Sequence, residues 1–202
     1  MTAEPNPEAA TDAVVVAART DREAFGRLYD IYHPRIFGYC LRRLSARTAA
    51  EDATTNVFLQ VASHLPTFPG RTVEGFQRWL YRIAINEVNA TIRKRLRRQR
   101  HWEQVKHAKA PADGDGEAAR GRSDSLSWPT LHEAIARLSS REQTIVVLRF
   151  YQGMSHEEIG HILDRRPATV RVALSRAISK LRKELAEFFE ENCPVSESEQ
   201  PT

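Results

Sequence analysis

The sequence predicts an all-α fold of two small helical domains joined by a flexible linker, the C-terminal one a helix-turn-helix. The first observation is that apolar residues recur at helical spacing along most of the chain, with Pro and Gly between the runs. The second is a polar stretch at residues 102–127, rich in Gly and Asp, where this spacing disappears. A chain of 202 residues is long enough for two small domains.

The first domain is predicted over residues 14–101, after a disordered tail at residues 1–13. Thr20 and Glu23 have the spacing of a capping box, so a helix should begin there. Pro34 lies within the apolar pattern that follows, and it indicates either a second helix or a kink in the same one.

Two more helices, separated by a loop, are predicted in the rest of this domain. Thr48 and Glu51 form a second apparent capping box. Pro and Gly residues predict a loop at residues 66–73, and a long helix follows from about Val73. Its apolar stripe comprises Phe76, Trp79, Leu80, Ile83 and Ala84. Trp79 could alternatively be a stacking platform for a base, although its place in the stripe favours core packing.

The second domain is predicted over residues 128–188 and ends in two helices joined by a short turn. Ser155 and Glu158 form a capping box at the start of the first helix, and Pro167 suits the first turn of the second. The core face of the second helix is Val170, Ala173, Leu174, Ala177, Ile178 and Leu181. Its outer face carries Thr169, Arg171, Val172, Ser175 and Arg176. This arrangement, with a basic outer face, is typical of a DNA-binding helix-turn-helix.

Charge is distributed unevenly, although the net charge is only +4. Residues 91–101 and residues 165–183 are two blocks that contain Lys and Arg but no acid. An acidic tail is predicted at residues 189–202. Two separate basic blocks indicate nucleic-acid binding, whereas either block alone could be an ordinary solvated face.

Several function classes are excluded by the sequence. It has no apolar run long enough to span a membrane and no signal-peptide pattern, so a cytoplasmic protein with reduced thiols at Cys40 and Cys193 is expected. His156 and His161 suggest a zinc-protease motif, but their spacing places them about 140° apart on a helix, so they cannot share a metal. The sequence indicates no metal site, no cofactor motif and no catalytic nucleophile, so an enzyme is not expected.

Three segments resemble a known family. They are AEDATTNVFLQV at residues 50–61, FQRWLYRIAINEVNATIRKRLRR at residues 76–98, and the stretch from LSSREQTIVVLRFYQG to SRAISKLRKEL at residues 138–185. In this order they are similar to the polymerase-binding helix, the promoter helix and the −35-reading domain of the extracytoplasmic-function (ECF) group of bacterial RNA polymerase sigma factors.

The resemblance implies a sigma factor that binds the clamp helices of core RNA polymerase and directs initiation at promoters by reading their −10 and −35 elements. Such a protein would work in the cytoplasm, associated with the nucleoid. An anti-sigma factor or a Ser/Thr kinase could control it. The alternatives are a stand-alone helix-turn-helix transcriptional regulator and a protein-interaction adaptor.

The resemblance also assigns residues. Polymerase binding is expected of Glu51, Asp52, Thr55, Asn56 and Phe58. Binding of the −10 element is expected of Phe68, Arg71, Asn86, Arg93 and Arg97. Binding of the −35 element is expected of Arg165, Arg166, Thr169, Arg171, Val172, Ser175 and Arg176.

A phosphorylation switch is a further hypothesis. The polymerase-binding helix of the family usually carries acids where this chain has Ala49 and Asn56. A phosphate on Thr54 or Thr55, which lie between them, would restore negative charge to that surface. The opposing interpretation is that both threonines are ordinary surface residues.

Overall fold

The computed structural model describes residues 10–108 and 128–192. Within these ranges the chain forms helices and no strands, which confirms the all-α prediction. The N-terminal module contains α1 (Asp12–Ala17), α2 (Arg22–Leu44), α3 (Arg47–His64) and α4 (Val73–Ala108), with a 3-10 turn at Leu65–Thr67 after α3. The C-terminal module contains α5 (Trp128–Arg137), α6 (Ser140–Phe150), α7 (His156–Leu163) and α8 (Pro167–Asn192).

Helix α2 is one continuous helix that passes through Pro34, so Pro34 does not begin a second helix. The predicted capping box of Thr20 and Glu23 at its start is wrong. Asp21, not Thr20, caps the helix, and its carboxylate accepts a hydrogen bond from the amide of Glu23 at 2.9 Å. The helix ends at Ser45, whose left-handed backbone (φ 60°) turns the chain into α3.

Helix α3 begins at Arg47 without a side-chain cap, so the predicted capping box of Thr48 and Glu51 is wrong. The tight turn through Ser45 and Ala46 has already made the backbone helical before Thr48. Glu51 pairs instead with Arg47 one turn earlier, with the guanidinium Nε 2.9 Å from a carboxylate oxygen.

Three predicted boundaries differ from the structure. Ala10 is buried and α1 begins at Asp12, so the N-terminal tail does not extend to residue 13. Helix α4 continues to Ala108, which makes the first part of the predicted linker helical. Helix α8 continues to Asn192, past the predicted start of the acidic tail at residue 189. The rest of the two tails and of the linker lies outside the described residues.

The helix-turn-helix forms as predicted. Ser155 and Glu158 make the expected capping box, and α8 starts at Pro167. Asp164 adopts a left-handed conformation (φ 55°) that ends α7. Gly160 is needed because a Cβ there would lie 2.6 Å from the carbonyl oxygen of Arg165. The turn therefore closes tightly, and α8 lies directly against α7.

The two modules pack against each other, which no local sequence signal predicts. Helix α2 contacts α6, and α4 contacts α7. The buried side chains of the two modules form one continuous cluster. Cys40 belongs to it, as expected of a small core residue, and burial raises the pKa of its thiol to about 11. Over the described ranges, none of the helices has the length and hydrophobicity that a membrane span requires.

Candidate nucleic-acid interface

A groove of about 590 Å³ opens between the loop after α3 and the first turns of α4. Its floor is aromatic: the ring of Phe68 stacks on Trp79, with centroids 4.6 Å apart and planes 22° from parallel. The lining residues are His64, Thr67, Phe68, Pro69, Gly70, Gly75, Arg78, Trp79 and Arg82. The groove therefore combines an apolar floor with cationic walls, which suits a nucleobase and its phosphate.

Phe68 itself is only 8% exposed, so it supports the groove more than it lines it. Trp79 is half-buried against the core and also faces the groove. The two interpretations of Trp79 are therefore compatible. Arg71 lies at the exposed tip of the loop.

Helix α1 holds this loop in place. The guanidinium of Arg19 donates a hydrogen bond to the carbonyl oxygen of Gly70. The carboxylate of Asp12 accepts a hydrogen bond from the amide of Val73 at 2.8 Å. A side chain of α1 therefore caps the first turn of α4. Gly70 has no side chain for a steric reason, since a Cβ there would lie 2.3 Å from the ring of Phe68.

An exposed stripe of polar and basic side chains extends the groove along α4. Asn86, Arg93 and Arg97 were expected there and are all exposed. Arg78 and Arg82 are exposed on the same face but were missed by the sequence analysis. Helical spacing in the sequence does indicate that they are exposed. Arg78, Arg82 and Asn86 repeat every four residues, on the side opposite Phe76 and Leu80.

The expected polymerase-binding face lies on α3. Glu51, Asp52, Thr55 and Asn56 are exposed, and the amide of Asn56 donates to a carboxylate oxygen of Glu87 on α4 at 3.0 Å. The expectation for Phe58 needs correction. It is 6% exposed and packs edge-on against Tyr29, so it supports the face from beneath.

Leu59, the next residue, is instead the apolar side chain that this face presents, at 61% exposed. The sequence does not single it out, because the run from Val57 to Leu59 is uniformly apolar. Helical spacing alone did not decide which of these residues points outward.

Thr54 and Thr55 differ in environment. Thr54 is 1% exposed, and its hydroxyl donates to the carbonyl oxygen of Ala50 at 2.7 Å. Its expected place on the exposed surface is therefore wrong, and a kinase could reach it only if α3 opened. Thr55 is exposed, although its hydroxyl also donates to a backbone carbonyl, that of Glu51, at 2.9 Å.

The predicted reading face, which comprises the turn before α8 and the outer side of α8, is exposed along its whole length. The exposed residues are Arg165, Arg166, Thr169, Arg171, Val172, Ser175 and Arg176. A groove of about 520 Å³ separates this face from the start of α6, and Thr169, Val172 and Arg176 line it. Arg141, at the start of α6, lines both this groove and a smaller one beside Arg165 and Arg166. Arg141 was not among the predicted site residues.

Glu142 fixes α6 against α8 beside this groove. Its carboxylate completes the capping box with Ser139 and accepts a hydrogen bond from Lys180 of α8 at 2.7 Å. The hydrogen bonds from Lys180 and Ser139 hold the pKa of the Glu142 carboxyl below its usual value. These bonds favour the charged carboxylate, which ties the start of α6 to α8.

Two family descriptions match this chain. Residues 28–100 match Sigma-70 region 2, and residues 130–181 match Sigma-70 region 4. The chain is similar to the ECF RNA polymerase sigma factor BldN of Streptomyces coelicolor, with 30% identity over 81% of this chain and 61% of BldN. It is also 30% identical to the ECF sigma factor SigW of Bacillus subtilis, over 83% of this chain and 92% of SigW.

Solved structures share the fold. The sigma factor RpoE in complex with the anti-sigma factor NepR from Bartonella quintana superposes with a TM-score of 0.60 at 22% identity, over 81% of this chain and 98% of that chain. CnrH in complex with the cytosolic domain of CnrY also gives 0.60, at 20% identity, over 88% of this chain and 97% of that chain.

Replacing Arg19 by Ala should loosen the groove loop. It removes a charge-assisted hydrogen bond to Gly70 that is worth about 1.5–3 kcal/mol. We expect amide hydrogen exchange of a peptide covering residues 66–76 to accelerate by about 10–100-fold, with the melting temperature of the whole protein little changed. Arg22→Ala, at an exposed arginine that starts α2, is the matched control. Unchanged exchange in Arg19→Ala would show that the loop does not depend on α1.

Proposed function

Because the chain belongs to the ECF family of RNA polymerase sigma factors, we propose that its N-terminal module binds core polymerase and the −10 element and its C-terminal module reads the −35 element. The chain is a promoter-directing sigma factor. Sigma factors act on RNA polymerase in the cell interior and are not enzymes themselves. The division of labour is supported chiefly by one observation, that each module exposes its own basic face beside a groove.

In the C-terminal module, α8 is the helix that enters the major groove. Its exposed side chains near the turn are those that reach base edges in a helix-turn-helix. Arg171 and Arg176 can donate to guanine, and Val172 can contact a thymine methyl group. Arg141, Arg165 and Arg166 lie beside this face and bind the phosphates that set its register.

In the N-terminal module, the groove over Phe68 and Trp79 receives a base extruded from the −10 element. Extrusion costs a few kcal/mol, which stacking and hydrogen bonds in a shaped pocket must return. The half-buried ring of Trp79, supported from beneath by Phe68, supplies the stacking, and Arg78 supplies a cation beside it. Asn86, Arg93 and Arg97 continue the path of the strand along α4.

The exposed face of α3 binds the clamp helices of core polymerase. An interface needs an apolar anchor surrounded by polar contacts, and Leu59 with Asp52 and Asn56 has that composition. Asn56 is oriented by Glu87, so it is held ready for a partner. A basic partner surface would complement Asp52 and Glu51.

Regulation and location are proposed on the basis of the same family. The solved sigma factors RpoE and CnrH are in complexes with the anti-sigma factor NepR and with the cytosolic domain of CnrY. An anti-sigma factor is accordingly proposed as a partner of this chain, which would act in the cytoplasm on nucleoid-bound polymerase.

A phosphate on Thr55 is proposed as a second control. It would add about −1.5 to −2 charges to the face that contains Asp52 and Asn56. Thr55→Glu should therefore bind core polymerase several-fold more tightly than the unmodified chain, and the phosphorylated protein more tightly still, in a fluorescence-anisotropy titration. Ser63→Glu, an exposed position further along α3, is the control. Equal affinity of the phosphorylated and unmodified chains contradicts the switch.

The function as a whole is tested by initiation from genomic promoters with purified core polymerase. The chain should support specific initiation, whereas a stand-alone regulator should bind duplex DNA alone and leave initiation by core unchanged.

Within that assay, Arg171→Ala should lose about 1–3 kcal/mol, a roughly 5- to 150-fold effect, only at promoters with an intact −35 element. Arg97→Ala should weaken all promoters alike and lower the salt dependence of binding by about one unit of log–log slope. Arg27→Ala, at an exposed arginine on α2, should have neither effect. Equal, sequence-independent losses from Arg171→Ala and Arg97→Ala would mean that the reading face is misassigned.

A further inference from the structure

A buried arginine joins the two modules. Arg43 of α2 is 5% exposed, and its guanidinium donates to the side-chain oxygen of Gln143 and to the carbonyl and hydroxyl oxygens of Ser140, the last two at 3.3 and 2.9 Å. It also donates to the side-chain oxygen of Asn89 on α4 at 3.3 Å. Ser140 itself donates to Asn89 at 2.8 Å. The joint is therefore a specific polar network across α2, α4 and α6.

A glutamine of the C-terminal module makes a second connection. The buried hydroxyl of Tyr81 donates to the side-chain oxygen of Gln152 at 2.8 Å. The amide of the same Gln152 donates to the backbone carbonyl of Arg35 at 3.2 Å. Gln152 thus links α4 and α2 to the end of α6.

The third connection uses a residue of the −10 groove. Arg82 lines that groove, yet its guanidinium donates to the carbonyl oxygens of Ile162 and His161 at 2.9 and 3.1 Å. These carbonyls belong to the last turn of α7, where the helix dipole favours a cation. The donors on Nε and Nη2 cannot hold α7 and bind a DNA phosphate at the same time, so the two contacts compete for this edge of the guanidinium.

The joint also constrains how far apart the two DNA-binding faces lie. From Ile162, which Arg82 contacts, to Pro167 is a chain of five residues (167 − 162), which spans at most about 18 Å. The reading face continues along α8 to Arg176, about 14 Å further. The −10 and −35 elements lie roughly two helical turns apart, or about 70 Å. The joined modules cannot reach both.

Resting on the function proposed above, we propose that this closed arrangement is the resting state of the free sigma factor, and that its C-terminal module inhibits promoter binding by holding Arg82. Opening at the joint releases Arg82 to the groove and lets the reading face reach the −35 element. The 20 residue-to-residue steps from Ala108 to Trp128 (128 − 108) can span at most about 65–70 Å, which is enough for the separation.

The composition of this polar network favours separation of the two modules. A buried guanidinium is costly unless a carboxylate compensates it, and across residues 10–108 and 128–192 no carboxylate forms a salt bridge with Arg43. Its Nε also has no hydrogen-bond partner. Separation returns this charge to water, so a binding partner that prefers the open form can shift the equilibrium.

A reversible crosslink tests the proposal. Cysteines replace Asn89 and Ser140, whose side chains touch across the joint, in a Cys193→Ser background; Cys40 is buried and unreactive. The substitutions remove the side-chain bonds of Asn89 and Ser140 but keep those of Gln143, Gln152 and Arg82. The free protein should therefore still crosslink with a mild oxidant or a short cleavable bis-maleimide, and failure with both reagents would mean that the closed state is not populated. The crosslinked protein should initiate at least tenfold less efficiently with core polymerase, and cleavage of the crosslink should restore activity.

The control crosslink lies within one module. Arg137→Cys with Glu184→Cys joins α5 to α8, away from the joint, and should leave initiation within twofold of wild type. Full activity of the crosslinked Asn89/Ser140 variant overturns the proposal. Failure of the wild-type chain to initiate would instead overturn the proposed function.

A second measurement does not depend on the crosslink. Gln143→Ala with Gln152→Ala removes two connections without touching the DNA-binding residues. The isolated double variant should bind a single-stranded −10 oligonucleotide at least threefold more tightly than wild type. Adding Arg82→Ala should abolish this gain. Unchanged affinity in the double variant contradicts autoinhibition.

Discussion

The arrangement of this molecule depends on one buried charge, the guanidinium of Arg43. Its hydrogen bonds reach Asn89 of α4 and both Ser140 and Gln143 of α6, so this side chain is the centre of the polar contacts between the modules, beside those of Gln152 and Arg82. Neutral oxygens replace water around it, but they do not cancel its charge. A joint of this kind has a defined geometry and a modest net stability, because polar contacts within the protein replace equivalent contacts with water.

The functional faces lie around this joint and point away from it. The α3 face, with Leu59 at its centre, and the reading face of α8 are both exposed while the modules are joined. Among the faces formed by residues 10–108 and 128–192, the −10 groove alone shares a residue with the joint, through Arg82. The closed form can therefore present its polymerase-binding surface before it can engage a promoter. In such a scheme, polymerase would act first and DNA second, a sequence that keeps the free protein from occupying promoters without polymerase.

The sequence predicts those parts of the structure that local interactions determine. The capping box of Ser155 and the break at Pro167 act over a few residues, and both are where the pattern indicated. The outer face of α8 follows from helical spacing alone. The Thr48 box failed because the preceding turn at Ser45 started the helix early, which the spacing of Thr48 and Glu51 cannot reveal. Likewise, Thr54 and Thr55 are adjacent polar residues in the sequence, and only the packing of α3 buries the first. The contact between the modules could not be predicted from the sequence. Arg42 and Arg43 are adjacent arginines with no local difference, and Arg43 is the buried one of the two because α4 and α6 supply its hydrogen-bond partners.

The most direct measurement of the central claim is the distance between the modules in solution. Pulsed electron paramagnetic resonance can measure this distance between spin labels at Glu23→Cys on α2 and Ser179→Cys on α8, in a Cys193→Ser background. Both positions are exposed and lie outside the proposed binding faces. The free protein should give one narrow distribution at the distance of the closed structure. Addition of core polymerase and promoter DNA should replace it with a longer distance. A broad, long distribution in the free protein, unchanged by polymerase and DNA, would contradict the account.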